Sequence, residues 1–210
     1  EYKNILDNNI MTILLNSIKK VGLGKISSII ANDVYNSPSK RQRTIYNYLY
    51  LPDLSDAEKS VYINHSNKSI IIGVRGTANV KDVFTDVSLV IGKLDKTKRQ
   101  QELNNLIERL KNMYKGYHIT TSGHSLGGGL SKKSESDLSF GFNEGTSIAK
   151  QQDEKRHIGK RIKGDVVSLL SGSDTIEKDP TYNAHTIDQF GKIEKEWVVN
   201  NKCFCVLICL

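Results

Sequence analysis

The first part of the chain shows helical periodicity interrupted by polar breaks. Near the start, the apolar residues recur with a helical spacing: Ile10, Ile13, Leu14 and Ile18. This spacing predicts a helix. A break at Gly22–Gly24 and a second short helix from Lys25 to Val34 follow. Segment 36–58 carries two prolines and many polar residues, so we expect an irregular segment or a covering flap.

The next stretch has the pattern of a β-hairpin. Val61–Ile63 and Ile70–Val74 are apolar runs that flank the polar turn Asn64–Lys68. The second run is apolar throughout, as in a strand that is buried on both faces.

Two further helical patterns precede the next strand. The first predicts a short amphipathic helix that also carries Asp82 and Asp86, with the apolar residues Val80, Val83, Phe84 and Val87. The second predicts a helix at about 97–115, with one apolar face formed by Leu103, Leu106, Ile107, Leu110 and Met113. A strand, Tyr117–Ser122, follows.

The remaining chain predicts two more strands. These are Leu138–Phe142 and Arg161–Val167, and the polar segment 146–158 between them is expected to be partly helical. Because strands and helices alternate, we predict an α/β fold with a mostly parallel central sheet and helices on both faces.

Composition narrows the class of protein. The length of 210 residues fits one domain with a substantial core. The net charge of +7 favours attraction to anionic surfaces. The basic residues are widely spread, however, so we expect no nucleic-acid partner and only peripheral contact with an anionic membrane surface.

The ends of the chain carry little chemistry. All three cysteines lie in the last eight residues and fit no zinc pattern. No apolar run approaches the roughly 20 residues that span a bilayer, so we expect a soluble protein. The first residue is Glu rather than Met, so we expect an incomplete N-terminus, with any signal peptide missing.

The strongest motif is Gly123-His124-Ser125-Leu126-Gly127, which follows the β-branched run Ile119–Thr121 and continues into Gly128. It has the form of a nucleophile elbow, a strand-to-helix turn that places a serine in strained backbone geometry with its Oγ exposed. The two outer glycines are needed because side chains there would collide across the turn. Ser125 is therefore the candidate nucleophile.

A serine nucleophile needs a general base, and position eliminates most of the five histidines. We expect His124 to point away from the substrate and to be structural. His118 lies inside the preceding strand and His65 in the hairpin turn. With a triad order of Ser, acid, His, His157 has no acid candidate that ends a strand, which leaves His185 as the base.

The acid should lie near the end of a parallel strand. Asp165 lies towards the end of Arg161–Val167 and is favoured, while Asp174 and Asp179 are looser alternatives. Its role would be to fix the imidazole tautomer. For the oxyanion, the backbone N–H of Leu126 and that of Thr77, in the loop Arg75–Thr77, are the expected donors.

Together these residues resemble the class 3 lipases, the fungal triacylglycerol-lipase type of α/β-hydrolase. The blocks that carry the likeness are Ile70–Thr77, Asp82–Asp86, Ile119–Gly128 and Arg161–Val167 with His185. The resemblance covers roughly residues 58–190. It implies Ser125 as nucleophile, Asp165 as acid, His185 as base and Thr77 and Leu126 as oxyanion donors. It also implies a mobile lid at 79–90 and no metal or organic cofactor.

The resemblance sets the expected organisation. Residues 1–57 would form a helical covering segment of the same domain, residues 58–196 the α/β-hydrolase-like core, and residues 197–210 an apolar cysteine-containing tail. For Cys203–Leu210 we expect a final strand or a docked end rather than a membrane-touching or lipidated tail.

Two features depart from the family. Lys132–Ser136 places charge where the elbow helix is usually buried, so we expect a shorter and weaker helix. Ser125 and Asp165 are only 40 positions apart, and Asp165 and His185 only 20. The expected function is a serine hydrolase of lipid esters, and the alternative is an inactive hydrolase-fold protein with a lipid-binding or structural role.

Overall fold

A computed structural model describes residues 22–76, 98–145, 157–164, 168, 173–176, 185, 187, 188 and 190. Several sequence predictions lie outside these residues. They are the helix at 10–18, the helix at 80–87 with the lid at 79–90, and the tail at 197–210.

The described residues form one eight-stranded sheet whose strand order follows the chain. The strands are β1 (Thr44–Ile45), β2 (Tyr48–Tyr50), β3 (Lys59–Asn64), β4 (Ser69–Val74), β5 (His118–His124), β6 (Leu138–Phe142), β7 (His157–Ile162) and β8 (Asp174–Ile176). Strands β1 to β4 pair antiparallel, and every pairing from β4 to β8 is parallel. The predicted mostly parallel sheet is therefore confirmed.

Three α-helices are described. They are the helix at 22–33, the crossover helix Lys98–Met113 and the elbow helix Leu126–Lys132. Short 3-10 turns lie at Pro38–Lys40 and Pro52–Leu54. None of these helices is long and apolar enough to cross a bilayer.

Helices cover both faces of the sheet, as predicted. On one face the crossover and elbow helices pack on β3 to β5, in a core that includes Ile72, Leu103, Ile107 and Leu130. On the other face, helix 22–33 contributes Ile30 to a cluster with Ile71 and contributes Ala31 to a cluster with Phe140 and Phe142. Alternate residues of each strand thus face opposite layers, as the pleat requires.

The N-terminal predictions need two corrections. The predicted break at Gly22–Gly24 is wrong, because these residues belong to the helix, which ends at residue 33. Segment 36–58 is not wholly irregular, because Thr44–Ile45 and Tyr48–Tyr50 form a hairpin that extends the sheet at its β3 edge. Each of these strands has only one buried residue, Ile45 in the first and Tyr48 in the second. They are therefore too short to show the alternation of apolar and polar residues that predicts a strand.

The later predictions also shift in detail. Strand β7 runs from His157 to Ile162, so the predicted strand Arg161–Val167 begins too late, and residues 157 and 158 are not helical. The prediction began too late because the buried residue of β7, Ile162, is the last residue of the strand. In the crossover helix, Met113 is exposed rather than part of the apolar face.

Candidate active site

Ser125 occupies the turn between β5 and the elbow helix with backbone angles φ 56° and ψ −123°. A non-glycine residue with positive φ costs free energy and persists only where its surroundings hold it. Here the Ser125 N–H donates to Phe142 O at 3.0 Å, and Ser125 O accepts N–H hydrogen bonds from Gly129 and Gly145, both at 3.2 Å. The strained serine is thus fixed from β6 as well as from its own helix.

The two elbow glycines permit close approach of backbone to backbone. A Cβ on Gly123 would collide with the backbone of Gly127, and a Cβ on Gly127 would collide with the carbonyl oxygen of Val74. The steric reason for Gly-x-Ser-x-Gly that the sequence suggested is therefore present in the geometry.

The serine is buried rather than exposed. Ser125 is 2% exposed, and Leu126 and His185 are also buried. The Ser125 Oγ makes no hydrogen bond with any residue that the structure describes. The general expectation of an exposed Oγ is not met in this structure.

The loop after β4 lies against the elbow. Val74, the last residue of β4, pairs with Gly123 of β5, so the loop that starts at Arg75 leaves the sheet beside Ser125. A Cβ on Gly76 would lie 2.5 Å from the carbonyl oxygen of His124. Thr77, the predicted second oxyanion donor, lies outside the described residues, but it directly follows this contact.

His185 lies next to the elbow. Its ring packs on the ring of His124, with centroids 4.7 Å apart and planes at 48°. Its backbone oxygen accepts a 2.6 Å hydrogen bond from Nε2 of His124. The predicted base, His185, thus lies against His124, the buried residue that precedes Ser125.

The predicted acid, Asp165, lies outside the described residues, as does Asp179. Strand β7 ends at Ile162, and Gly164 follows in a turn with φ +86°. The alternative Asp174 is exposed in β8, and its carboxylate pairs with Nζ of Lys160 at 2.6 Å. Asp174 therefore has a structural partner away from the elbow.

A second polar cluster, missed in the sequence, surrounds Glu144 on the elbow-helix face of the sheet. Its carboxylate lies 2.7 Å from Nε2 of His157 and 3.4 Å from Nζ of Lys132, and it accepts a 2.9 Å hydrogen bond from Ser173 Oγ. Nδ1 of His157 lies 2.7 Å from Ser139 Oγ. Lys132 thus forms an ion pair with a buried carboxylate. This is the charge that departs from the class 3 lipase pattern in the sequence.

Glycines on three elements make room for this carboxylate. A Cβ on Gly128, Gly141 or Gly159 would contact Glu144 at 2.9 Å or less. Burial by itself raises the pKa of Glu144, but the hydrogen bond and charge of His157, with Lys132 and Ser173, outweigh it and hold the pKa below its usual range. In the sequence, the only sign of this cluster is a glutamate that follows a predicted strand. The residues that pair with Glu144 lie in other segments of the chain, so the sequence pattern does not reveal them.

The described residues contain no group of three or more His, Cys, Asp or Glu side chains arranged to hold a metal ion.

Comparison with known proteins supports the architecture. Two solved structures of the Lip2 lipase of Yarrowia lipolytica, one of them nonglycosylated, are similar to this chain at 15% sequence identity. The first has a TM-score of 0.51 and covers 75% of this chain and 78% of its own. The nonglycosylated form has a TM-score of 0.52 and covers 82% of this chain and 83% of its own.

The fold is α/β-hydrolase-like. Searches against protein-family models and among curated proteins found no match. At this level of identity the α/β-hydrolase fold is what the similarity establishes, and the chemistry has to be argued from the elbow itself.

Proposed function

We propose that the protein is a serine carboxylic-ester hydrolase of the class 3 lipase family. The observation that carries the proposal is the strained backbone of Ser125, with φ 56° and ψ −123°, at a strand-to-helix turn of an α/β-hydrolase. Such strain is costly and is found at catalytic nucleophiles of this fold. The packing of His185 on His124 supports the pairing of serine and base.

The proposed reaction passes through an acyl-serine. Ser125 Oγ attacks the ester carbonyl carbon while His185 accepts the hydroxyl proton, and the carbonyl oxygen becomes an oxyanion. The tetrahedral intermediate collapses as His185 returns the proton to the leaving alcohol. Water, deprotonated by His185, then attacks the acyl-serine and releases the carboxylic acid and free Ser125.

The oxyanion requires two preorganised N–H donors, for which we propose Leu126 and Thr77. The contact of Gly76 with the elbow supports Thr77, since it brings the preceding residue within reach of His124. We propose Asp165 as the acid that orients His185. Asp165 comes three residues after the end of β7. This position supports the role because functional sites of parallel sheets lie at the carboxyl ends of the strands.

We further propose lipid esters of the acylglycerol type as substrates, on the strength of the resemblance in the elbow block and in Arg75–Thr77. The decisive assay is hydrolysis of p-nitrophenyl esters of graded chain length by the wild type and by Ser125→Ala. The proposal expects activity that Ser125→Ala abolishes, with a preference for long acyl chains. A preference for short chains would favour a soluble esterase.

The second candidate is an inactive hydrolase-fold protein that binds lipid. The burial of Ser125 at 2% exposure favours it, as does the elbow helix of only seven residues. Absence of hydrolysis of both emulsified and soluble esters by a folded wild type that still binds liposomes would support this candidate.

A further inference from the structure

The peptide group between Ser125 and Leu126 is held through its carbonyl oxygen. This oxygen accepts hydrogen bonds from the N–H of Gly129, one turn along the elbow helix, and from the N–H of Gly145, both at 3.2 Å. A trans peptide is planar, and its C=O and N–H groups point in opposite directions. The hydrogen bonds at the oxygen therefore orient the Leu126 N–H on the other side of the same peptide.

Of these two donors, Gly145 is the one that comes from outside the elbow helix. It lies three residues after Phe142, the last residue of β6. Between them, Asn143 is tied to β7, because its N–H donates to Lys160 O and its Oδ1 accepts the N–H of Ile162, both at 2.8 Å. The sheet thus holds this segment as far as Asn143, and Gly145 lies two residues further on.

The buried side chain of Glu144 anchors the main chain between Asn143 and Gly145. Its carboxylate lies 2.7 Å from Nε2 of His157, in β7, and 3.4 Å from Nζ of Lys132, in the elbow helix. Ser173, directly before β8, donates its hydroxyl to the same carboxylate at 2.9 Å. Three separate parts of the fold therefore hold the residue that precedes Gly145.

The elbow helix contacts Glu144 and its neighbour along its whole length. Lys132 is the last residue of this helix, and Ser125, which accepts from Gly145, precedes its first residue. Between these ends, a Cβ on Gly128 would lie 2.8 Å from Cβ of Glu144. The helix that carries the Leu126 N–H at its first position thus packs directly on the anchored segment.

We propose that Glu144 is a positioning residue for the ester hydrolysis, because its buried carboxylate anchors Gly145 and so orients the peptide that presents the Leu126 N–H to the oxyanion. The inference rests on the proposed function, in which Ser125 is the nucleophile and Leu126 an oxyanion donor. Glu144 itself touches neither substrate nor reacting atoms. The hydrogen bond from Gly145 also polarises the peptide, which strengthens its N–H as a donor.

The kinetic test uses Glu144→Gln, which keeps the shape of the side chain and removes its charge. We expect kcat to fall about 5- to 50-fold with KM changed less than about twofold, because an oxyanion donor acts mainly in the transition state, and loss of a whole donor costs about 100- to 1,000-fold. Both proteins are assayed at a temperature at which circular dichroism shows them folded.

The matched control is Asp33→Asn, which also replaces a buried carboxylate by an amide. Asp33 is 3% exposed and accepts a 2.6 Å hydrogen bond from the hydroxyl of Tyr62, and it lies in helix 22–33 on the other face of the sheet. Asp33→Asn should leave kcat unchanged. An unchanged kcat in Glu144→Gln, or an equal fall in Asp33→Asn, would overturn the proposal.

Backbone amide exchange tests the anchor without reference to activity. In 15N-labelled protein, the Gly145 N–H should exchange at least about tenfold faster in Glu144→Gln than in the wild type, because local opening exposes it to water. The Gly129 N–H, which binds the same carbonyl from within the helix, should keep its protection. Unchanged exchange at Gly145, or an equal loss of protection at Gly129, would overturn the proposal.

His157→Gln is the milder variant, which carries the test if Glu144→Gln does not fold. It removes one partner of the carboxylate and leaves Glu144 in place. We expect kcat and the protection of Gly145 to fall together, and a lower kcat with intact protection of Gly145 would overturn the proposal. The two proposals fail differently, since an inactive wild type contradicts the proposed function, whereas an active wild type with an equally active Glu144→Gln contradicts the role of Glu144.

Discussion

The carboxylate of Glu144, two residues after the end of β6, lies 2.7 Å from Nε2 of His157, the first residue of β7. The Glu144 side chain is 1% exposed, and the next residue, Gly145, donates its N–H to the backbone oxygen of Ser125. The charged cluster and the strained serine are therefore held by the same short segment. Removing one partner of a buried pair leaves the other charge uncompensated.

We predict that Glu144→Gln lowers the free energy of unfolding by about 3 kcal/mol, in the range found for broken buried pairs. The control is Asp174→Asn, which breaks a pair with Lys160 on the same strand β7. Because Asp174 is 76% exposed, this loss should stay below about 1 kcal/mol. Urea unfolding of the three proteins measures both values, and equal losses would contradict the assignment of Glu144 as a buried structural charge.

The same pair predicts a pH dependence of stability. The folded pKa of Glu144 lies below the ordinary glutamate value of 4.5, so its contribution to stability is fully present above about pH 4.5 and is lost as the pH falls through the lower, folded pKa. The difference in unfolding free energy between the wild type and Glu144→Gln should therefore shrink in acid. A difference that stays constant across this range would show that the carboxylate is not the titrating group.

Glycine substitutions test the close approach at the elbow. Gly127→Ala should destabilise the protein by at least about 1–3 kcal/mol, because its Cβ would collide with the backbone of Val74. Gly22→Ala is the contrasting variant, since nothing lies within 4 Å of its Cβ position in helix 22–33. We expect this change to be neutral or to stabilise the helix by up to about 1 kcal/mol. Thermal unfolding measures both, and a tolerated Gly127→Ala would contradict the packed elbow.

The net charge of +7 leads us to propose peripheral binding to anionic membranes. We expect binding to vesicles that contain phosphatidylserine, and weakening of that binding as ionic strength rises, because salt screens exposed charges. Vesicles of phosphatidylcholine alone are the control. Binding that is equal on both lipids and unchanged by salt would contradict an electrostatic contribution.

The sequence predicted those parts of the fold that local pattern determines. The hairpin of β3 and β4 and the crossover helix have strong periodicity, and the elbow glycines have a steric requirement that can be read directly. The β1–β2 hairpin was missed because each strand is two or three residues long. Strand β7 was predicted too late in the chain because its residues are mostly half-buried and polar and give little apolar pattern.

The candidate site divides in the same way. The strand-to-helix turn at Ser125 could be predicted because its motif is contiguous. Elimination by position left His185 as the candidate base, and both catalytic roles stay predictions. Glu144 could not be predicted, since its pairing depends on a contact with His157, which lies 13 positions further along the chain. Asp165 and Thr77 lie outside the described residues and stay predictions.

Covalent labelling of Ser125 tests the proposed nucleophile most directly. The wild type, Ser125→Ala and Ser60→Ala are treated with a fluorophosphonate, and intact mass is measured. Ser60 is the matched control because its hydroxyl is also buried and forms no hydrogen bond with the described residues. The account predicts a single phosphonyl adduct on the wild type and on Ser60→Ala, and none on Ser125→Ala. A folded wild type that takes up no label, or a Ser125→Ala variant that is labelled equally, would contradict it.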